Sequence, residues 1–234
     1  MIARTIRSIC NTIGVGVSPL FDMGKDFRQL YRRCAPYSMT SIERLYATHI
    51  ATEYIVSNRI PGAIVECGVW RGGNMMMSAM TLIQKDDRAR TLYLYDTFEG
   101  NSAPTAEDVD FRGRRSAAQG LFCASLEEVR KHLSSTSYPQ RNIEFVKGRV
   151  EDTIPRTLPE RIALLRLDTD WYESTLHELR HCYPLLSPGG VLIIDDFGHW
   201  RGARKATEQY FHETKTSVFL QRIDYTGRMG VKIG

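Results

Sequence analysis

From residue 63 onward, short apolar runs alternate with amphipathic segments. The runs are Ala63-Ile64-Val65-Glu66-Cys67, Thr91-Leu92-Tyr93-Leu94-Tyr95, Ile143-Glu144-Phe145-Val146-Lys147, Ile162-Ala163-Leu164-Leu165-Arg166-Leu167 and Val191-Leu192-Ile193-Ile194. Each one stops at a glycine or an aspartate: Gly68, Asp96, Gly148, Asp168 and Asp195. Brief apolar runs bounded by turn residues predict strands buried on both faces, as in a parallel sheet. The stretches between them predict helices, among them Met75 to Gln84, Ala203 to Phe211, and one opening at Ser125. Ser125 is a good N-cap, and Glu127 and Glu128 place acids in the first turn. Val218 to Ile223 and Met229 to Ile233, joined through Tyr225-Thr226-Gly227, predict a terminal hairpin. The total is seven strands in an α/β, Rossmann-like arrangement.

Before the first strand the periodicity is helical. Ile2, Ile6, Ile9 and Ile13 form one stripe, and Ile42, Leu45, Tyr46, His49, Ile50, Tyr54 and Ile55 another. Residues 1–60 are therefore expected to be a helical cap, with the first stripe serving a homo-oligomer (a dimer or larger), and residues 61–234 the catalytic domain. Arg4 and Arg7 precede an apolar stretch, but Asn11, Thr12 and Ser18 interrupt it and no small-residue cleavage site follows. No stretch reaches the roughly 18 apolar residues of a membrane span. A net charge of +4 with no basic run argues against nucleic acid as a partner. The five cysteines are odd in number and show no CxxC spacing, which argues against zinc and a disulfide framework. Reduced thiols in a cytoplasmic protein are the simplest account.

The candidate chemistry gathers where two of the strands stop. One ends in Asp168-Thr169-Asp170 and the other in Asp195-Asp196. Ligands of open α/β sheets collect at the carboxyl ends of strands. Two unit charges 4 Å apart repel by roughly 4 kcal/mol at an effective dielectric of 20, so a cluster of acids needs a cation, a shared proton or basic partners. An all-oxygen set suits Mg²⁺. The competing account is that these acids cap helices or pair with Arg166 and Arg201. A glycine turn, Glu66-x-Gly68-x-x-x-Gly72-Gly73, follows the first strand and would let a cofactor approach the backbone, with Glu66 beside the crevice. Asp96 ends the next strand at the distance expected of a ribose-hydroxyl clamp. Together they point to an adenosine-containing cofactor. Met75, Met76, Met77 and Met80 are read as core. Residues 101–123 read as a lid or substrate loop, and Arg112, Arg114 and Arg115 on it are equally well explained as a solvated charged stretch.

Val65-Glu66-Cys67-Gly68-Val69-Trp70-Arg71-Gly72-Gly73, Tyr95-Asp96-Thr97-Phe98-Glu99-Gly100, the run from Leu165 to Thr175, and Asp195-Asp196-Phe197-Gly198-His199-Trp200 together resemble the macrocin O-methyltransferase (TylF) family. The resemblance covers about residues 40 to 234. It implies the seven-stranded fold of S-adenosylmethionine (SAM)-dependent methyltransferases and a Mg²⁺-dependent transfer to a hydroxyl of a small natural-product acceptor, sugar or phenolic. By that resemblance Asp168, Asp195 and Asp196 hold the metal, Asp170 is the base, and Asp168 counts as catalytic as well. Glu66 and Gly68 lie by the methionine moiety and Asp96 by the ribose, with Thr97, Phe98, Ser125 and Gly148 as further cofactor contacts. Thr169 and Phe197 stand where the family often has Gly and Tyr. Two other classes stay open: a metal-dependent glycosyltransferase using Asp168-Thr169-Asp170 as a D-x-D motif, and a non-catalytic SAM-binding subunit. Neighbouring strand residues point to opposite faces, so Asp195 and Asp196 can share a metal only if the strand has already turned. His199 is expected to be a loop residue more than a second base.

Overall fold

The chain runs through α1 (Lys25–Cys34), α2 (Ile42–Ser57), β1 (Ala63–Cys67), α3 (Gly73–Gln84), β2 (Leu92–Asp96), α4 (Leu126–Ser134) and β3 (Ile143–Lys147). It continues with α5 (Val150–Thr153), β4 (Ile162–Leu167), α6 (Tyr172–Cys182), β5 (Leu186–Ile194), α7 (Arg201–Glu213), β6 (Gln221–Arg222) and β7 (Arg228–Val231). The structure is a computed structural model that describes residues 22–115 and 119–234. The stripe of Ile2, Ile6, Ile9 and Ile13 lies outside the described residues.

One seven-stranded sheet has the order β3-β2-β1-β4-β5-β7-β6. Strands β1 to β5 pair in parallel, and β7 inserts antiparallel between β5 and β6. The chain winds outward in both directions from the β1–β4 pair, so the crevice at their carboxyl ends is the topological switch point. Alternation sends side chains into two cores. Ile64, Leu92, Leu94, Val191 and Ile193 face the core shared with α1 to α4. Val65, Cys67, Tyr95, Leu165, Leu192 and Ile194 face the one shared with α6 and α7. This two-sided burial is why the strand sequences are almost wholly apolar.

The N-terminal helices belong to the first of these cores. Phe27, Leu30, Leu45 and Ile55 pack in the cluster that holds Met75, Met76, Met77 and Met80, so the methionine run is core. Strand ends differ from the sequence expectation where pairing, not hydrophobicity, decides. β5 begins at Leu186 because Gly189 donates its N–H to the Lys232 carbonyl (2.8 Å) and Lys232 donates back to Gly190 (2.9 Å). β6 is confined to Gln221–Arg222: it is an edge strand, and Phe219 is 78% exposed, so burial does not draw Val218–Leu220 into the ladder. Among the described residues Cys34, Cys67, Cys123 and Cys182 are free thiols, and no helix is long and apolar enough to cross a membrane.

Leu192 lies fully buried in β5, paired with Leu165 on β4 and Gly230 on β7. Leu192→Ala is expected to lower unfolding stability by about 2–5 kcal/mol. Urea denaturation would show this as a lower midpoint with an unchanged m value.

Candidate active site

Backbone pairing continues past the strands and brings the acids together. Asp168 donates its N–H to the Cys67 carbonyl (2.8 Å), and Asp195 donates to Leu167 (2.9 Å). Gly68 has φ +81, and a Cβ there would overlap the Asp168 carbonyl, so glycine alone permits this approach. β5 ends at Ile194. The chain then turns, with the Asp196 carbonyl accepting the N–H groups of His199 (3.0 Å) and Trp200 (2.9 Å). Asp195 and Asp196 are thereby released from strand alternation. One carboxylate oxygen each from Asp168, Asp195 and Asp196 lie within 4.8 Å of one another.

A buried arginine backs the cluster. The β1–β4 register sets Glu66 beside Arg166, on the same face of the sheet. Arg166 Nη1 donates to Glu66 Oε1 (2.7 Å) and to Asp168 Oδ2 (2.6 Å), and its Nη2 donates to Asp195 Oδ1. On the other side Arg44, from α2, donates to Asp195 Oδ2 and places its Nε 3.0 Å from Asp224. The surrounding acids hold both guanidinium pKa values above the ordinary range in spite of burial. Burial pushes Glu66 up to about 8 and Asp195 up to about 6, against the pull of Arg166 on each. Burial, and then the Asp170 and Asp168 charges, raise Asp196 well above the usual carboxylate range.

Asp170 adopts φ +68, uncommon for a residue with a side chain. Its Oδ1 accepts the Trp200 indole N–H at 2.9 Å. Burial, then the Asp168 charge, push its pKa up to about 7. Beneath this turn the Thr169 hydroxyl lies 2.9 Å from Glu178 Oε1 and 2.8 Å from Ser174 Oγ. Burial raises the Glu178 pKa well above its usual range, and its Oε1 accepts the Thr169 hydroxyl from below the turn. Neither Arg44 nor Glu178 stood out in the sequence: one comes from a distant helix, and the other reads as an ordinary helix-surface residue.

These acids floor a cleft of about 310 Å³. Gly68, Asp96, Thr97 and Gly148 line it as well. Asp96 Oδ2 accepts the N–H groups of Val69 (2.6 Å) and Trp70 (3.0 Å), and its Oδ1 accepts that of Phe98 (2.7 Å), pinning the glycine turn to the end of β2. Glu66, Phe98 and Ser125 lie outside the lining of the cleft. Glu66 points into the sheet face toward Arg166. Phe98 is buried in the core. Ser125 caps α4 by accepting the Glu128 N–H (3.1 Å). The loop after residue 100 is tied down by hydrogen bonds. Asp108 accepts from Thr105 (2.7 Å) and from Tyr172 at the start of α6 (2.8 Å). Asp110 accepts from Arg112 (2.8 Å) and Arg114 (2.9 Å), and Arg201 at the start of α7 donates to Val109 (2.9 Å).

The sequence matches the family described as Macrocin-O-methyltransferase (TylF) over residues 22–230. It is 34% identical over 193 residues to the 8-demethyl-8-(2,3-dimethoxy-alpha-L-rhamnosyl)-tetracenomycin-C 4'-O-methyltransferase of Streptomyces olivaceus, covering 82% of this chain and 74% of that protein. With the demethyldecarbamoylnovobiocin O-methyltransferase of Streptomyces niveus it shares 33% identity over 195 residues, again 82% of this chain and 74% of the relative. The solved structure of the O-methyltransferase NovP superposes with a TM-score of 0.76 at 28% identity, covering 85% of this chain and 83% of that one.

Replacing Arg166 by Met would leave Glu66, Asp168 and Asp195 without their shared counter-charge. Arg166→Met is expected to cost about 3–5 kcal/mol of stability near pH 8. The acids of such a variant take up protons as the pH falls, so the loss should be smaller at pH 5. Denaturant titrations at the two pH values check both the size and the direction.

Proposed function

The chain belongs to the macrocin-O-methyltransferase (TylF) family, and from that premise we propose a Mg²⁺-dependent transfer of a methyl group from SAM to a hydroxyl on the sugar or phenolic part of a natural product. The observation that carries this reading is one cleft holding three convergent carboxylates, a fourth carboxylate beside them, and a glycine turn pinned by Asp96. The relatives' names agree with such an acceptor, one of them specifying a rhamnosyl ring. The glycosyltransferase and non-catalytic readings are not favoured, because the family and these relatives are O-methyltransferases.

The donor set fits a hard divalent cation: it is all oxygen, it converges, and two of its members are buried with raised pKa values that a positive charge would relieve. Asp168, Asp195 and Asp196 would hold it, and the chemistry it would supply there is to make an acceptor hydroxyl more acidic. Arg166 and Arg44 fix the Asp195 carboxylate from two sides, so its aim does not depend on the acceptor. Gly68, which also lines the cleft, would present bare backbone to the cofactor. Asp96 Oδ1 keeps acceptor capacity for a ribose hydroxyl beyond the Phe98 N–H. Asp170, oriented by the Trp200 indole, takes the proton of the acceptor hydroxyl. The acceptor oxygen then forms its bond to the methyl carbon as the sulfur–carbon bond breaks, and sulfur keeps the electron pair. Holding both reactants in line is the protein's largest contribution.

Asp170→Asn is expected to lower kcat by about 10²–10⁴-fold, with S-adenosylhomocysteine binding unchanged by calorimetry. Loss of cofactor binding in that variant, or full activity, would sink the assignment. Asp170 must be ionised to act, so kcat in the native enzyme should rise with pH through an inflection at or below about 7. Dialysis against a chelator should abolish turnover and Mg²⁺ should restore it. Turnover that survives the chelator would remove the metal from the proposal.

A further inference from the structure

Three rings from three separate segments meet at the rim of the cleft. Phe111 and His199 have centroids 5.8 Å apart, His199 and Tyr225 5.9 Å, and Phe111 and Tyr225 6.4 Å. His199 and Tyr225 line the cleft, and the Tyr225 hydroxyl lies 3.1 Å from His199 Nδ1. His199 also packs edge-on against Trp200 at 4.7 Å, the residue whose indole holds Asp170. A continuous line of rings thus leads from the surface to the Asp170 carboxylate.

The segments bearing Phe111 and Tyr225 are both hydrogen-bonded to the stretch that carries His199. The Phe111 carbonyl accepts from Arg201 (3.1 Å), and Asp110 bridges to Trp200. The turn bearing Tyr225 is locked because Gly198 donates to the Thr226 carbonyl (2.8 Å) and the Thr226 hydroxyl donates to the Asp195 carbonyl (2.7 Å). A Cβ on Gly198 would overlap the Tyr225 carbonyl. Yet Phe111 is 46% exposed and Tyr225 54%. The fold therefore spends backbone hydrogen bonds on holding apolar rings in water. Two further apolar side chains, Met39 and Phe122, each about half exposed, line the cleft too. Clustered exposed apolar surface beside convergent polar groups marks a ligand-binding surface.

We propose that Phe111, His199 and Tyr225 seat the part of the acceptor remote from the methylated hydroxyl, and that this part is a planar, apolar ring system. The proposal rests on the methyltransferase reading, because it takes Asp170 as the end of the cleft that receives the hydroxyl. The cations beside the rings are engaged within the protein. Arg114 is neutralised by Asp110 at 2.8 Å, and Arg112 lies over the Phe111 ring at 5.1 Å. Aromatic faces bind flat rings by offset or edge contacts without needing the rest of the acceptor.

The full-length protein would be titrated with 4-methylumbelliferone, a flat neutral two-ring probe, and separately with thymidine diphosphate and S-adenosylhomocysteine. Phe111→Ala/Tyr225→Ala should weaken the umbelliferone Kd by about fivefold or more and leave the S-adenosylhomocysteine Kd unchanged, which also shows that the variant is folded. Phe219→Ala, which removes an exposed ring elsewhere, should change neither. No umbelliferone binding by the native protein, or equal binding by the double variant, overturns the proposal. So does thymidine diphosphate binding that is tighter than umbelliferone binding and is lost in Arg112→Ala, which would assign the rim to a nucleotide. Failure of the native protein to bind S-adenosylhomocysteine would instead remove the methyltransferase reading, whatever the umbelliferone result.

Discussion

A buried guanidinium, that of Arg166, joins three strand ends. It sits mid-sheet between β1 and β5 and reaches Glu66 on one side, Asp195 on the other, and Asp168 just beyond its own strand. Charges removed from water are costly unless paired and hydrogen-bonded. The arrangement is therefore strongly cooperative: each acid is tolerable because the others hold the arginine in place. That constraint keeps the carboxyl ends of β4 and β5 at a fixed separation, and with it the convergence of Asp168, Asp195 and Asp196. The charge behind the cluster is permanent, since arginine does not titrate in the working range.

Around this centre the backbone supplies what side chains cannot. Gly68 allows Asp168 to approach β1, and Gly198 allows the Asp195–Trp200 turn to meet the terminal hairpin. Asp96 gathers three backbone N–H groups and so ties the glycine turn to β2. The N-terminal helices do more than cover the sheet. Arg44 on α2 reaches the same aspartate as Arg166, and Ser41, the cap of α2, donates to Asp224 at 2.7 Å. The cap, the central acids and the terminal hairpin thus share one charge network, and the acidic part of the cleft is assembled from segments nearly the whole chain apart.

The apolar runs, their stops at glycine or aspartate, and the alternation with helices were legible along the chain, because burial on both faces leaves a continuous hydrophobic imprint. So were the four aspartates, because all lie within three residues of the end of one of two runs. The depth of Glu66 was not legible. It sits in a strand beside a glycine turn, as a cofactor contact would, but register places it opposite Arg166 and alternation turns it toward the helical core. The reach of β5 and the brevity of β6 were equally hidden, since cross-strand pairing and edge position set them.

The sequence by itself determined the fold class, the family, and which strand ends bear acids; these are local properties of pattern and motif. Only the tertiary structure decided which acids share a cavity, which of them are neutralised by Arg166 and Arg44, and that rings from residues 111, 199 and 225 meet at its rim. The reason is physical. Periodicity reports whether a side chain faces a core or water, whereas charge pairing and ring contacts depend on which distant segments the sheet order brings within a few ångströms.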